Sequence, residues 1–260
     1  MLRIGVMVSN LKLPLREAIS TSARLGAQGV QLWTAGGDLD PDEVSAMERR
    51  EIMVQLGREG MEVSALCADY GQPYTDPSNA DFLRSRIMDQ VSLAMAFSTQ
   101  VITTHVGHIP NDPNSPEWKT AQALLKELGD YADSMGVCLA TETGPEEPAV
   151  LRAFMDSVGS RGAKVNYDPA NLVMKGFDPV RGVAELGPYI VHTHAKDGVR
   201  HPDGRAEEVP LGEGDVDWDA YVAALQDARF DGYLTVEREG GDDPMGDVSH
   251  AISYLKMKVA

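Results

Sequence analysis

Four short runs in the second half of the chain decide its fold: VCLATE at 137–142, AKVNYD at 163–168, YIVHTH at 189–194 and GYLTVE at 232–237. Each run has the length and the β-branched or aromatic content of a strand, and loop and then helix pattern follows it. Successive side chains of a strand point to opposite faces. The residues two positions before the run ends are Ala140, Asn166, His192 and Thr235. One face of each run is therefore small or polar and points to a shared interior, whereas the other face is mostly apolar and needs a covering layer.

The four runs end in Glu142, Asp168, His194 and Glu237. Neighbouring strands lie about 4.8 Å apart, so groups at the ends of adjacent strands converge on one place. Three hard carboxylate donors and a borderline imidazole nitrogen suit one divalent ion, with Mn²⁺ expected first and Mg²⁺, Co²⁺, Fe²⁺ or Zn²⁺ as alternatives. A single carboxylate at such a place is usually a solvated loop residue, but four residues at equivalent strand ends predict a metal site.

Strand and helix patterns alternate eight times along the chain without a linker or low-complexity tract. The predicted strands lie at 3–8, 28–33, 61–67, 99–105, 137–142, 163–168, 189–195 and 232–238. The predicted helices lie at 14–25, 41–59, 79–97, 117–135, 147–158, 178–186, 217–228 and 243–257. Eight such units in one chain of this length favour an α/β fold of the (β/α)8 TIM barrel type, a single domain over 1–260.

A doubly wound open sheet is the structural alternative to the barrel. That fold usually carries a glycine-rich phosphate loop after its first strand, whereas here the first strand ends in Val8-Ser9-Asn10. Nucleotide-cofactor binding is therefore not expected. Asp40-Pro41, Asp178-Pro179 and Asp243-Pro244 predict helix starts. The segment 198–215, rich in Gly, Pro and charge, predicts a loop over the site.

The charge of the chain limits its partners. The 260 residues carry 40 Asp and Glu against 23 Lys and Arg, a formal net charge of −17. Such a charge repels phosphate backbones and anionic lipids, so neither nucleic acid nor a membrane is an expected partner. A small-molecule substrate is expected instead, and a helix with methionine and aromatic residues leaves a homo-oligomer open. Cys67 and Cys138 lack disulfide or structural-zinc spacing, and the start of the chain lacks a signal-peptide pattern, which predicts a cytoplasmic protein.

Four motifs carry a family resemblance: TETG at 141–144, NYDPAN at 166–171, HTHAKD at 192–197 and LTVERE at 234–239. They resemble the xylose-isomerase-like TIM barrel superfamily of sugar phosphate isomerases and epimerases. That superfamily includes ketose 3-epimerases, hydroxypyruvate isomerase, inosose dehydratase and endonuclease IV. The resemblance extends through essentially the whole chain, and it implies a metal-dependent isomerase or epimerase that acts on a ketose or keto-sugar.

The resemblance also implies roles for the four strand-end residues. Glu142, Asp168, His194 and Glu237 would hold the metal, and Glu142 and Glu237 would also form the acid/base pair. A metal that chelates a substrate carbonyl and hydroxyl acidifies the adjacent C–H and stabilises an enediolate. One carboxylate removes the proton and the other returns it. Return to the opposite face inverts the carbon, whereas return to the neighbouring carbon interconverts aldose and ketose.

Three further residues match substrate-contacting positions of the family. His105 ends the fourth predicted strand and resembles a histidine that is common there. Arg200 follows His194 by six residues and matches an epimerase arginine that contacts substrate hydroxyls. Asn171 follows Asp168 by three residues, where the epimerases commonly have a substrate-contacting histidine. This departure puts the substrate range of the epimerases in question for this chain.

Two more residues are predicted to contact substrate from their place in the strands. Lys196 shares the strand face of His194 and either reaches a substrate oxygen or pairs with a carboxylate. Trp33 closes the second predicted strand and offers an apolar ring at the rim, for substrate or for packing. His108 lies beyond the fourth strand in a loop, where a simple loop role is the alternative to metal binding.

Two other reactions of the same superfamily stay open. A lyase, such as a dehydratase or a keto-glycoside-cleaving enzyme, begins with the same proton abstraction and differs in having a leaving group at the β carbon. An endonuclease IV-like nuclease would use additional histidines for a three-zinc cluster. The acidic composition and the incomplete histidine set oppose the nuclease.

Overall fold

The centre of the molecule is a closed barrel of eight parallel strands, seen in a computed structural model that describes residues 1–259. The barrel strands are β1 (Arg3–Met7), β2 (Gly29–Trp33), β3 (Glu62–Cys67), β4 (Val101–Thr104), β5 (Cys138–Glu142), β6 (Ala163–Tyr167), β7 (Ile190–Ala195) and β10 (Tyr233–Val236). β1 pairs with β10 and with β2, which closes the ring in the order β1-β10-β7-β6-β5-β4-β3-β2. The predicted (β/α)8 barrel is confirmed.

Helices follow the barrel strands along the chain. They are α1 (Leu15–Leu25), α2 (Ala46–Glu59), α3 (Ala80–Ala96), α4 (Pro116–Ser134), α5 (Pro148–Val158), α6 (Pro169–Lys175), α7 (Pro179–Leu186), α8 (Trp218–Asp227) and α9 (Pro244–Lys258). Outward-facing strand residues such as Leu139 and Leu234 share one buried apolar core with helix residues such as Leu125 and Leu225. Burying each such side chain stabilises the fold by about 1.5–3 kcal/mol. Among the described residues, each helix is too short or too polar to cross a bilayer.

The inside of the barrel is polar where the sequence alternation predicts it. The Asn166 side-chain oxygen accepts a 2.8 Å hydrogen bond from Nδ1 of His192, whose Nε2 lies 2.9 Å from the Thr235 hydroxyl. All three side chains are fully buried. Each buried polar atom in this layer has a partner, which is what burial of polar groups requires. This hydrogen-bonded layer lies directly beneath the strand-end residues inside the barrel.

The second helix differs from its prediction over 41–59. Asp40 and Pro41 do not open a helix. The Asp40 carboxylate instead accepts hydrogen bonds from the backbone N–H of Gly36 and Asp42 and so organises a turn. α2 begins five residues later, where Ser45 and Glu48 form a reciprocal capping box. The predicted helix starts at 178–179 and 243–244 are confirmed, because both aspartates cap helices that begin with proline.

One helix and one hairpin were not predicted. α6 begins at the proline after Asp168, inside the stretch expected to be loop. The segment 198–215 is also not all loop, since β8 (Asp197–Arg200) and β9 (Ala206–Val209) form an antiparallel hairpin. The buried carboxylate of Asp197, the first residue of β8, accepts hydrogen bonds from Trp218 Nε1 and from the backbone N–H of Gly212, both of which follow the hairpin in the chain. These contacts fix the return of the chain to the barrel.

Candidate metal centre

Four strand-end side chains converge at the carboxyl end of the barrel. Glu142 is the last residue of β5, Asp168 directly follows β6, His194 lies in β7 and Glu237 directly follows β10. Each offers one donor atom, and these atoms all lie within 4.8 Å of one another. Because β5, β6, β7 and β10 are consecutive around the barrel, the convergence follows directly from their register.

The two carboxylate oxygens of Asp168 have different surroundings. Oδ1 caps α6 by accepting hydrogen bonds from the backbone N–H of Ala170 at 2.8 Å and of Asn171 at 3.1 Å. Oδ2 is buried and accepts no hydrogen bond within residues 1–259. The nearest cation is the ammonium of Lys196, 3.9 Å away. The helix cap thus fixes the rotamer and leaves one buried oxygen directed at the cluster without a partner.

His194 is oriented by a residue that the sequence argument missed. Nε2 of its ring lies 3.0 Å from the Gln31 side-chain oxygen, and the Gln31 amide donates to the Thr103 hydroxyl at 2.9 Å. Nδ1 of the same ring faces Glu237 at 3.1 Å and Glu142 at 3.4 Å. Gln31 therefore favours a proton on Nε2, which leaves Nδ1 as the donor atom for an ion. A lone glutamine in the apolar run of β2 was the available signal.

The two glutamates have different neighbours. Oε1 of Glu142 accepts a hydrogen bond from the Asn171 amide at 2.9 Å, and Oε2 accepts one from the Asn166 amide at 3.2 Å. Oε2 of Glu237 instead accepts a 3.0 Å hydrogen bond from the ammonium of Lys196. One glutamate is thus held by neutral amides and the other by a cation. This asymmetry follows from α6, which brings Asn171 beside Glu142.

Burial and mutual repulsion govern the protonation of the cluster. Burial raises the pKa of Asp168 to about 7, an effect that Lys196 only partly offsets. Burial opposes a charge on His194, but Glu237 and Glu142 outweigh it and hold the pKa of His194 well above its ordinary value. Burial likewise works to raise the pKa of both glutamates, but His194 outweighs it and lowers each pKa. Without a metal ion and below about pH 7, protons on Asp168 and His194 therefore reduce the negative charge of the cluster.

A family model described as xylose isomerase-like TIM barrel matches residues 19–258 of this sequence. The chain belongs to that family. It is 23% identical over 249 residues to fructoselysine 3-epimerase from Escherichia coli O157:H7, covering 87% of this chain and 86% of that protein. It is 27% identical over 170 residues to inosose dehydratase from Clostridium perfringens, covering 56% of each.

The fold is also similar to a xylose isomerase-like TIM barrel protein from Mycobacterium smegmatis solved in complex with magnesium. The TM-score is 0.78 at 20% identity, covering 100% of this chain and 97% of that one. The chain spans 61% and 56% of the length of the first curated relatives it matches. The resemblance seen in the four sequence motifs is confirmed at the level of the family.

The donor set of this xylose isomerase-like barrel fits a divalent ion. Three carboxylates and one imidazole nitrogen are a combination that binds Mn²⁺, Mg²⁺ and related ions. An unpartnered buried carboxylate oxygen is costly, by about 1–3 kcal/mol, and Oδ2 of Asp168 is such an atom. A cation among the four donors would supply its missing partner and replace the protons that the metal-free cluster holds.

The other predicted site residues lie at different distances from this centre. His105 directly follows β4, with Nδ1 3.0 Å from Asp69 and Nε2 3.6 Å from Glu142. Burial lowers the pKa of His105, but the Asp69 hydrogen bond and the Glu142 charge outweigh it and raise the pKa to about 9. His108 lies further out beside Glu146, at 3.8 Å, and is largely exposed.

Lys196 is in direct contact with the cluster, whereas Arg200 and Trp33 have other neighbours. The Lys196 ammonium contacts both Glu237 and Glu239. Arg200 lies on β8 and donates from Nη1 to the backbone oxygen of Met174 at 2.8 Å. The Trp33 indole is half-exposed and donates to the Ala35 oxygen at the end of β2. Sequence reasoning missed Glu239, which follows Glu237 by two residues and also contacts Lys196.

Proposed function

We propose that this protein is a divalent-metal-dependent enzyme that isomerises or epimerises a ketose or keto-sugar through an enediolate. The observation that carries the proposal is the convergence of Glu142, Asp168, His194 and Glu237, with their donor atoms within 4.8 Å. Family membership supports sugar chemistry, and the fructoselysine 3-epimerase match supports an epimerase in particular.

The metal would be held by these four residues, with Mn²⁺ as the proposed ion and Mg²⁺, Co²⁺, Fe²⁺ or Zn²⁺ as alternatives. A bound divalent ion supplies Lewis acidity that polarises a carbonyl and lowers the pKa of the neighbouring C–H. Asp168 and His194 act as ligands alone in this proposal. Their second atoms are already engaged, by the α6 cap and by Gln31, so they hold position and move no proton.

Glu142 and Glu237 are proposed to exchange the proton of the substrate carbon. They stand on β5 and after β10, on either side of the strands that carry the two simple ligands. The Asn171 amide fixes the orientation of Glu142, and the Lys196 ammonium fixes that of Glu237. Two oriented carboxylates around one carbon are what removal and return of a proton require.

Five further side chains are proposed to contact the substrate: His105, Asn171, Lys196, Arg200 and Trp33. Lys196 supplies a fixed positive charge beside Glu237, which stabilises negative charge that develops on a substrate oxygen. His105 presents an imidazole between Glu142 and solvent, suited to a hydroxyl group. Asn171 is already bonded to Glu142, so its contribution is orientation of that glutamate first and substrate contact second.

A lyase reaction is the second candidate, and the inosose dehydratase match is the observation that favours it. Both reactions begin with removal of a proton beside a carbonyl. A leaving group at the β carbon of the substrate decides whether the proton returns or a group departs. The two candidates therefore share their site and differ in their substrate.

Proton abstraction can be tested before the product is known. A panel of ketoses and 3-keto-glycosides is incubated in deuterated buffer with Mn²⁺ or with chelator, and loss of the α-proton signal is followed by NMR. The wild-type protein is expected to exchange at least one substrate only with the metal, and Glu142→Gln and Glu237→Gln are expected to be at least about 100-fold slower, the lower end for loss of general base catalysis. Exchange at the wild-type rate in both variants would exclude the proposed roles.

A further inference from the structure

The hairpin between β7 and α8 is fastened to the loop that follows Glu237. The Glu208 carboxylate, on β9, accepts hydrogen bonds from the backbone N–H of Glu239 at 3.2 Å and of Gly240 at 3.3 Å. It also accepts a 2.8 Å hydrogen bond from Nη1 of Arg238. One carboxylate thus accepts hydrogen bonds from three consecutive residues. Local sequence pattern does not predict that Glu208 meets them.

Arg238 is the centre of this contact. Its side chain is buried, and Nε donates at 2.8 Å to Oδ2 of Asp247, on α9. The loop closes tightly around the guanidinium, since a Cβ at Gly241 would lie 2.7 Å from Nη2 of Arg238 and the glycine has φ of +85°. Charge-assisted bonds of a partly buried guanidinium are strong and little screened by salt. The hairpin, the loop and α9 are therefore joined at one point.

This junction lies between one residue of the metal centre and one residue that contacts Lys196 beside it. Glu237 precedes Arg238 and contacts His194, whereas Glu239 follows it and contacts Lys196. Strand β10 ends before Glu237, whose backbone keeps one 3.2 Å hydrogen bond to the oxygen of Ala195. The position of Glu237 therefore depends on how the loop after it is held.

We propose that Glu208 and Arg238 are positioning residues that hold Glu237 in the geometry for metal binding and proton transfer. The inference rests on the proposed function, because Glu237 is assigned its role there. Neither residue touches the reacting atoms. They act through the backbone at 238–240, so the hairpin supports one wall of the centre.

The test compares two neighbouring glutamates on β9. Glu208→Gln keeps the size of the side chain and removes the charge that holds Arg238. Glu207→Gln is the matched control, because Glu207 is exposed and its ion pair within residues 1–259 is with His201 on the same hairpin, at 2.8 Å. Mn²⁺ binding to the metal-stripped full-length proteins is measured by isothermal titration calorimetry, together with kcat and KM for α-proton exchange and the thermal unfolding midpoint.

Glu208→Gln is expected to bind Mn²⁺ about 10-fold more weakly and to lower kcat by a similar factor, the low end for groups that orient a metal ligand. KM is expected to change less than about 2-fold, and Glu207→Gln is expected to match the wild-type protein. Arg238→Lys keeps the positive charge but loses the planar guanidinium, so it is expected to behave as Glu208→Gln. It replaces Glu208→Gln as the test variant if Glu208→Gln does not fold.

The outcomes separate this inference from the proposed function. Wild-type binding and exchange in both Glu208→Gln and Arg238→Lys would overturn the positioning role and leave the metal centre intact. Equal losses in Glu208→Gln and Glu207→Gln would also overturn it, because the effect would then belong to the hairpin in general. A wild-type protein that binds no Mn²⁺ and exchanges no α-proton would overturn the proposed function itself.

Discussion

Replacing Asp168 by asparagine is expected to stabilise the metal-free protein while it destroys the metal centre. Asparagine retains a side-chain oxygen that can cap α6 through the bonds now made by Oδ1. It removes the negative charge at Oδ2, which is buried without a hydrogen-bond partner in the described part of the chain. The same substitution thus relieves a cost of the metal-free fold and removes a ligand.

The size of the stabilisation follows from the pKa of Asp168. Burial raises it from 3.8 to about 7 in the fold, so the native state keeps a proton that the unfolded chain releases. Stability of the metal-free wild type therefore falls as pH rises from about 4 through 7. Each pKa unit corresponds to about 1.4 kcal/mol, so the loss amounts to at most about 4 kcal/mol at pH 8. Asparagine carries no such proton and escapes this loss.

Urea unfolding of the chelator-treated proteins at pH 5.5 and pH 8 measures the effect. The advantage of Asp168→Asn is expected to be larger at pH 8 by about 2 kcal/mol, from the same pKa difference. Asp178→Asn is the matched control, because Asp178 caps α7 with the same two backbone bonds but lies exposed, away from the cluster. The control is expected to change stability by less than about 0.5 kcal/mol at both pH values. A pH-independent difference for Asp168→Asn would refute the reasoning.

Three further predictions concern the ion. Gln31→Ala, which frees the His194 ring, is expected to weaken Mn²⁺ binding about 10-fold to 100-fold in calorimetry; unchanged affinity would remove Gln31 from the site. Lys196→Met removes the ammonium that orients Glu237 and is expected to slow α-proton exchange about 100-fold at saturating Mn²⁺, the low end for loss of an oxyanion-stabilising group; exchange at the wild-type rate would remove Lys196 from the reaction. Mn²⁺ affinity is expected to fall as pH falls from 8 to 6, most steeply below about 7, because protons held by His194 and Asp168 must leave when the ion binds; a flat profile from pH 8 to 6 would contradict this.

The barrel and the four strand-end residues could be predicted because both depend on local pattern. Alternation with a period of two fixes which side chains of a short strand face inward, and parallel strands bring their carboxyl ends to one rim. Glu142, Asp168, His194 and Glu237 each stand at such an end, so their convergence needed no knowledge of long-range contacts. The family motifs at the same places added the link to sugar chemistry.

The rest of the site depends on contacts that local pattern does not encode. Gln31 meets His194 across the barrel, 163 residues away in the chain. Glu208 meets Arg238 only because the hairpin folds back on the loop after β10. Local pattern does encode the start of α6, because Asp168 followed by proline is the same helix-start signal that was recognised at Asp178. Its short length, seven residues, hid it within the predicted loop.

Counting bound ions tests the metal centre most directly. Free Mn²⁺ gives an electron paramagnetic resonance signal that is lost on binding, so a titration of metal-stripped protein measures both stoichiometry and affinity. One ion per chain is expected for the wild type, and loss of that ion is expected for Asp168→Asn and for His194→Ala. A wild type that leaves all Mn²⁺ free, or variants that bind one ion as tightly as the wild type, would contradict the assignment of these residues as ligands.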